Sequence, residues 1–241
     1  MYLAPVLRSE ALKILSLRSL CATLLAVLAA TTAFSALTGV SDTSAPDFDP
    51  LFTALSGVTP GQIAVIAFGA TAVSSEFQGN GIRLSLAAVP RRGRWFAAKL
   101  AAVAVPVFAV GLLSAFAALV AARAGLGAAA DGLGVGEQAR GVVGCALYLT
   151  LMALLASGLA TLFRSGVATL ATLIPFLLIV SFVIGDVAGG ATDFLPDRAG
   201  QVVLYQTHDG LLGPWSGLAV TALWTAAALA AGAWRLCTRD A

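Results

Sequence analysis

The sequence predicts an all-α membrane protein with six membrane-spanning helices and a helical segment between the second and third spans. Hydrophobic residues make up 59% of the 241 residues, charged residues make up 11%, and the mean hydropathy is +0.93. Soluble domains usually carry about 25% charged residues. Long apolar runs separated by polar stretches recur along the chain, so we expect lipid to surround most of the surface of this single domain.

Residues 1–18 interleave apolar side chains with Arg8, Glu10 and Lys13. This pattern is typical of a helix that lies along the membrane interface, and it is also found in a charged flank that only orients the next segment. The uncharged run at 19–37 is long enough for a first span. A signal peptide is the competing interpretation, but the run is longer than a signal core and further spans follow.

The connector at 40–59 holds three aspartates and no basic residue. Thr59 offers an N-cap and Pro60 a first-turn proline, so we expect a helix to begin there and to continue to about residue 75. That length is short for a span. We therefore expect the stretch from residue 51 to form the beginning of this span, either as a segment that dips into the membrane or as a helix.

Four further apolar runs predict the remaining spans, at 96–122, 141–163, 167–185 and 214–234. The three residues 164–166 leave room only for a tight turn, so the fourth and fifth spans are expected to be antiparallel neighbours. A long polar loop at 186–213, which holds the one histidine, His208, is expected between the fifth and sixth spans.

Charge separates by side when six spans are assumed. Eleven basic and three acidic residues fall on the side that holds both termini, whereas three basic and nine acidic residues fall on the other side. The positive-inside rule makes the first side the cytoplasm. An odd number of spans would destroy this separation, so the pattern favours a multi-pass cell-membrane protein with both termini in the cytoplasm.

The sequence lacks the residues that several functional classes of membrane protein require. The centres of the predicted spans hold no charge, which argues against proton-coupled pumps and metal-dependent intramembrane proteases. The three cysteines show no metal-ligand or disulfide spacing. There is no GxxxxGK[ST], so no nucleotide or other cofactor is expected in this chain. No clustered catalytic residues indicate an enzyme, and no charged tail indicates a nucleic-acid partner.

A charged island at 76–99 interrupts the apolar pattern and contains five of the fourteen basic residues. Glu76 falls where the second span ends, and Arg83 would share its face if the segment were a continuous helix. Four apolar residues of this segment are expected to form a docking surface: Phe77, Ile82, Leu84 and Leu86.

The second half of the island is expected to anchor the chain to the membrane surface. Pro90 ends or bends the preceding helix, and four basic residues follow, at Arg91, Arg92, Arg94 and Lys99. A basic residue near an anionic headgroup layer contributes about 1 kcal/mol. Anchoring therefore accounts for the basic cluster but not for the amphipathic segment before it.

Residues 76–83 (EFQGNGIR), with Leu86, Pro90 and Arg91, resemble the motif E-[YF]-x-x-G-T-I-R…L…P-x-[RS] of type-2 ABC transporter permeases, especially actinobacterial ones. The resemblance extends over nearly the whole chain. Further similar residues are Arg8, Ser9, Glu10, Lys13, Arg18 and Ser19, residues 162–165 (LFRS), Leu195, Pro196, Pro214, Trp215 and Gly217. The departures are Ala11, Gln78, Asn80 and Gly81, of which Gly81 weakens a helix by up to about 1 kcal/mol.

The resemblance implies the permease subunit of an ATP-driven exporter. It implies that the segment at 76–95 is a coupling helix which docks into a separate ABC ATPase subunit, with ATP and Mg²⁺ held by that partner. It also implies a second permease subunit, in a homodimer or heterodimer. The coupling contacts are then expected at Glu76, Phe77, Gly79, Gly81, Ile82, Arg83, Leu86, Pro90 and Arg91.

The expected cargo is a hydrophobic, amphipathic or peptide-like molecule such as a drug, antibiotic or lipid. A non-transporting immunity or sensor module, which would bind its target through 186–213, remains the alternative. An ATPase encoded in the adjacent reading frame would favour the exporter, because this chain has no nucleotide site of its own.

Overall fold

A computed structural model describes residues 3–38, 48–79, 81–89, 91–126, 132–179, 189–207 and 210–238, and these ranges contain helices and irregular segments but no strand. Five helical segments within them are long and apolar enough to cross a membrane: Arg18–Thr38, Pro50–Phe77, Arg92–Leu126, Val135–Phe163 and Pro214–Thr238. The all-α class is therefore confirmed, and the helices indicate a multi-pass membrane protein.

The chain opens with two helices, α1 (Leu3–Ser16) and α2 (Arg18–Thr38). In α1, Val6, Glu10 and Ile14 recur every four residues and are buried, because that spacing places them on one helix face. Leu12 and Leu15 on other faces are 57% and 67% exposed. An amphipathic helix is thus present where one was predicted, and its buried stripe contains a carboxylate.

The second span consists of two helices, α3 (Pro50–Leu55) and α4 (Val58–Ser74), followed by a 3-10 turn at Ser75–Phe77. The Asp49 carboxylate caps α3 by accepting a hydrogen bond from the Phe52 amide at 2.8 Å. The predicted N-cap at Thr59 is wrong, because the cap of α4 lies two residues earlier, at Gly57. Pro60 still lies in the first turn, where its missing N–H leaves no helix bond unmade.

The island contains a short helix, α5 (Gly81–Ala88), and the beginning of α6 (Arg92–Leu126). The third span is therefore longer than predicted at both ends. Pro106 lies inside α6, and the helix continues past it.

The fourth span, α7 (Val135–Phe163), turns directly into α8 (Gly166–Pro175). Arg164 takes a left-handed conformation with φ 56°, and the Ser165 hydroxyl caps α8 by accepting from the Ala168 amide at 3.2 Å. The tight turn is confirmed. A wider helical turn continues α8 to Ile179, and the rest of the predicted fifth span lies outside the described residues.

The segment before the last span is packed more tightly than a polar loop would be. It consists of a 3-10 turn at Gly189–Phe194, α9 (Pro196–Gln201) and a 3-10 turn at Val202–Leu204. Ala199, Val203 and Leu204 are fully buried, because α9 and the 3-10 turn after it both pack against the last helix, α10 (Pro214–Thr238). The prediction of an open polar loop is wrong for this part, and His208 lies outside the described residues.

Close backbone contacts hold the bundle together. α7 occupies the centre, between α4, α6 and α10. A Cβ atom added at Gly158 of α7 would lie 2.7 Å from the Ala228 carbonyl carbon of α10, so only glycine permits this approach. Such small-residue contacts replace the hydrophobic driving force that is lacking between helices in lipid.

The bundle has two chemically distinct ends. We call the end that holds α1, residues 75–99 and the turn at 164–165 the basic end. The acidic end holds residues 48–57, 132–140 and 189–207.

Candidate functional site

Four charged side chains meet at the basic end, and we call them the basic-end cluster: Glu10, Lys13, Glu76 and Lys99. The Lys99 ammonium donates to Glu10 Oε2 at 3.0 Å and to Glu76 Oε1 at 2.8 Å. The Lys13 ammonium donates to Glu10 Oε1 at 2.7 Å and to Glu76 Oε1 at 3.1 Å. Each carboxylate therefore faces both ammonium groups.

Burial makes this balance important. The side chains of Glu10, Glu76 and Lys99 are only 3%, 7% and 3% exposed, whereas that of Lys13 is 40% exposed. Moving an ion out of water costs several kcal/mol even after relaxation of the surroundings. Two positive and two negative charges with mutual hydrogen bonds offset that cost, so the loss of one member leaves the others in an unfavourable environment.

The cluster links four parts of the chain. Glu10 and Lys13 lie one turn apart on α1, Glu76 lies in the 3-10 turn after α4, and Lys99 lies on the buried face of α6. The α5 helix joins them through Ser85, whose hydroxyl donates to Glu76 Oε2 at 2.9 Å and accepts from the Lys13 ammonium at 3.1 Å. A displacement of α5 would therefore act directly on the ends of the second and third spans.

The Lys13 ammonium group lies at the border between this cluster and solvent. Burial disfavours its charged form, but hydrogen bonds to Glu10 and Glu76, and the attraction of both carboxylates, raise its pKa above the ordinary value. The ammonium therefore stays charged throughout the neutral range.

The predicted anchoring role of Lys99 is wrong, because this ammonium is buried against two carboxylates. Trp95 and Phe96, on the same face of α6, are also buried and turn Lys99 towards the bundle. Arg92 also has a contact within the protein, since it donates to the Leu236 carbonyl at the end of α10 at 2.7 Å. Arg91 and Arg94 are exposed, so they remain candidates for contact with headgroups.

The apolar residues of the coupling segment do not form one docking surface. Ile82 is buried against Trp95, Phe96 and Leu236, and Phe77 and Leu86 pack on the same group. Leu84 is 73% exposed. The predicted four-residue surface is therefore wrong, because three of its members attach α5 to the bundle.

Glu76 and Arg83 do not share a face, because the segment between them is not a continuous helix. Glu76 points inward to the basic-end cluster, and Arg83 is exposed. Gly79 has φ +58°, which turns the chain sharply before α5 begins. Gly81 is the first residue of α5, and an added Cβ there would lie 3.0 Å from the Glu76 carbonyl oxygen, so glycine fits this position better than its helix propensity indicates.

The outward face of the coupling segment combines apolar and basic groups. Its exposed members are Gln78, Gly79, Arg83, Leu84, Ala87, Ala88, Arg91, Gly93 and Arg94. Gly79, Arg83 and Arg91 of the predicted partner-contact residues are among them, and Pro90 lies outside the described residues. We refer to this surface as the outward face of α5.

Nearby contacts attach the same end to the later helices. The Arg164 guanidinium lies over the Phe77 ring at 5.8 Å from its centroid. Arg235 of α10 donates to the Leu162 carbonyl in the last turn of α7. The basic end therefore connects residues from both halves of the chain.

Sequence reasoning missed the inward members Glu10, Lys13 and Ser85 as site residues. A signal was present in α1, because Glu10 falls between Val6 and Ile14 in a four-residue repeat of otherwise apolar side chains. A carboxylate in such a stripe requires a cationic partner.

A second buried polar group, which we call the neutral cluster, lies towards the acidic end. Tyr148 of α7 donates its hydroxyl to Oε1 of Gln62 on α4, and Gln201 of α9 donates to the same oxygen at 3.4 Å. Gln62 is 3% exposed and Tyr148 is fully buried. Within the described ranges, no three His, Cys, Asp or Glu side chains come together as a possible metal site.

No protein-family model matches the sequence, and no curated protein matches it.

Proposed function

We propose that this chain is the permease subunit of an ATP-driven exporter in the cell membrane. In the proposed topology the chain has six spans, and α8 with the residues after it forms the fifth. Both termini and the basic end lie in the cytoplasm. Its cargo would be a hydrophobic, amphipathic or peptide-like molecule. ATP hydrolysis would take place on a separate ABC ATPase subunit that holds ATP and Mg²⁺, and this chain would not itself be an enzyme.

One observation carries the proposal, namely the attachment of α5 to the spans on both of its sides. On the polar side, Ser85 hydrogen-bonds Glu76 and Lys13, and Glu76 pairs with Lys99 of α6. On the apolar side, Ile82 packs against Trp95 and Phe96. A force applied to α5 by a partner would therefore reach the second and third spans without first deforming a flexible loop.

The outward face of α5 has the chemistry of a protein contact. Leu84 supplies exposed apolar area, and Arg83, Arg91 and Arg94 of the same segment are exposed and positively charged. A partner groove with an apolar floor and acidic borders would complement this surface. An ATPase subunit that changes shape on nucleotide binding would act through it.

The lipid-facing and pairing surfaces are also apolar. Val105, Leu113, Phe116 and Val120 of α6 are 55% to 65% exposed. In the proposed assembly such faces contact membrane lipid or the second permease subunit. Whether the second subunit is another copy or a different chain changes neither the coupling argument nor its test.

The test is co-purification of the tagged chain from detergent-solubilised membranes with an ATPase encoded beside it. We expect wild type to retain the ATPase and to stimulate its ATP hydrolysis, and Arg83→Glu to lose both. Arg123→Glu is the matched control, because Arg123 is an exposed arginine near the C-terminal end of α6, away from α5. Both variants are expected to insert in the membrane at wild-type levels.

Retention and full stimulation in Arg83→Glu would contradict the assignment of α5 as the coupling element. Deletion of 79–86 then provides a stronger test of the same surface. If wild type retains no ATPase subunit at all, the result would favour the non-transporting immunity or sensor module.

A further inference from the structure

One face of α1 is exposed although most of it is apolar. Leu12 and Leu15 on this face are 57% and 67% exposed, and Leu17, which joins α1 to α2, is 42% exposed. Arg8 lies one helical turn before Leu12, Arg18 follows Leu17, and both arginines are exposed. We call these five residues the outer surface of α1. It is a short apolar strip with one basic residue at each end.

The outer surface carries charge of one sign. Glu10 is the one acidic residue of α1, and it is buried on the opposite face, where it accepts from two lysines. Among the residues that the structure describes, Arg8 and Arg18 have no hydrogen-bond or ion-pair partner. An occupant that complements this surface would therefore be anionic and would also offer apolar area.

The position of α1 brings this surface to the boundary of the membrane. Arg18 begins a helix that is long and apolar enough to cross a membrane. α1 does not continue that helix, because the Cys21 thiol donates to the Leu15 carbonyl at 3.5 Å, six residues back, which a straight helix does not allow. On its inward face α1 contacts Glu76 and Lys99, near the ends of two other candidate spans. α1 therefore lies beside the ends of three spans, at the level of lipid headgroups.

A lipid surface fits these features better than a protein groove does. In an interfacial helix, apolar side chains enter the boundary of the acyl chains, and long basic side chains reach back to the headgroups. The order of the outer surface, with three leucines between two arginines, matches this arrangement. It includes no aromatic side chain of the kind that usually anchors a protein contact.

We propose that the outer surface of α1 binds anionic phospholipid in the leaflet at the basic end. The headgroup phosphates lie against Arg8 and Arg18, and the acyl chains cover the three leucines. Because Glu10 and Lys13 project from the opposite side of the same helix, lipid bound here also holds one side of the basic-end cluster in place. Binding requires neither an ATPase partner nor transport, so this inference holds or fails separately from the proposed function.

The experiment is amide hydrogen exchange of the purified chain in two kinds of nanodisc. One kind contains phosphatidylcholine alone, and in the other part of it is replaced by phosphatidylglycerol with the same acyl chains. We expect protection of the α1 amides to be higher in the anionic nanodiscs, by about fivefold for each arginine that reaches the headgroups. Added salt should reduce this difference, because it screens the attraction between exposed charges.

A pair of double variants locates the effect. Arg8→Gln with Arg18→Gln is expected to lose most of the difference between the two kinds of nanodisc and to match wild type in phosphatidylcholine. Arg91→Gln with Arg94→Gln is the matched control, because it removes two exposed arginines of the same end that lie outside α1. The control is expected to keep the wild-type difference in α1.

The apolar contact has its own variant, Leu12→Gln with Leu15→Gln. Glutamine and leucine have similar helix propensities, so a loss of protection reports on the lost apolar contact. We expect lower protection of α1 in both kinds of nanodisc.

Three results would overturn the inference. One is equal protection of wild-type α1 in the two kinds of nanodisc, which would favour an acidic protein as the occupant. Another is an equal loss of the lipid effect in the two arginine variants, which would indicate a response to the overall charge of the basic end. The third is unchanged protection in the leucine variant, which would show that acyl chains do not cover the outer surface.

Discussion

The basic-end cluster brings four charges into contact, whereas the neutral cluster brings together a phenol and two amides. Both are buried, and both join helices that are distant in sequence. In the basic-end cluster, each carboxylate accepts from both lysines, so the charges offset one another only while the two signs are present in equal number. In the neutral cluster, no formal charge has to be offset.

This difference indicates different mechanical roles. Separation of opposite charges in a poorly hydrated site is costly over short distances, so the basic-end cluster is suited to hold α1, α5 and the ends of two spans in one arrangement. Amide and phenol groups lose less when they change partners. The neutral cluster is therefore expected to tolerate the loss of one member better than the basic-end cluster does.

The largest effect is expected from Glu76→Leu. The change leaves the buried Lys99 with Glu10 as its one carboxylate and leaves a net positive charge in the cluster. We expect the free energy of unfolding to fall by about 3–5 kcal/mol. Denaturant-induced unfolding in mixed micelles, followed by tryptophan fluorescence, measures this loss.

The double variant Glu76→Leu with Lys99→Met is the control. It removes one charge of each sign and retains the pair of Glu10 and Lys13. We expect it to be more stable than Glu76→Leu alone, because a removed ion pair is often less costly than an unpaired ion. A double variant less stable than the single one would show that charge balance is not what matters here.

A smaller effect is expected from Tyr148→Phe in the neutral cluster. The change removes a hydroxyl that donates to Gln62 and accepts from Gln201 at 3.3 Å, and it leaves Gln201 to donate to Gln62. We expect a loss of about 1 kcal/mol in the same unfolding measurement. A loss as large as that of Glu76→Leu would break the contrast between the two clusters.

Ser85→Ala is expected to loosen α5 locally. The change removes the hydroxyl that contacts both Glu76 and Lys13, at a cost of about 1 kcal/mol. Amide hydrogen exchange should become faster in α5, with little change in α4 and α6. Ser16→Ala, which removes an exposed hydroxyl from α1, is the matched control. Unchanged exchange in α5 would mean that its apolar contacts alone hold it in place.

The smallest effect concerns pH and Lys13. Its pKa is raised in the folded state above the ordinary value of 10.5, so the stability it contributes is present below that pH and is lost as pH rises through the folded pKa. Thermal unfolding midpoints measured from neutral pH to about pH 11 should fall less steeply in Lys13→Gln than in wild type. Arg8→Gln should keep the wild-type slope, and equal slopes in all three chains would exclude this linkage.

Much of the fold is readable from the sequence, because long apolar runs, prolines and tight turns act locally. The turn at 164–165 is an example, since three residues cannot separate two long helices by more than one turn. The start of α4 was misplaced because Gly57, a weak cap on its own, is fixed by its close approach to α2. The packed segment around α9 was missed because its polar residues obscure the buried Val203 and Leu204.

The site is only partly readable. The island was found from its charge density, but the pairing of Lys99 with Glu10 joins residues 89 positions apart, and local pattern carries no information about such contacts. Lys99 does share a helix face with Trp95 and Phe96, which indicates burial, yet the neighbouring arginines made it resemble one more surface cation. Charge density located the segment, and only the packing of α1 determined which charges point inward.

Chain order gives the basic-end cluster a further consequence for biogenesis. Glu10, Lys13 and Glu76 have all been synthesised before Lys99, so this lysine can meet its carboxylates as soon as the third span has been made. The neutral cluster cannot close until Gln201 has been made. Because domains form from the N-terminal side during synthesis, the first three spans can assemble as a unit on which the later helices are placed.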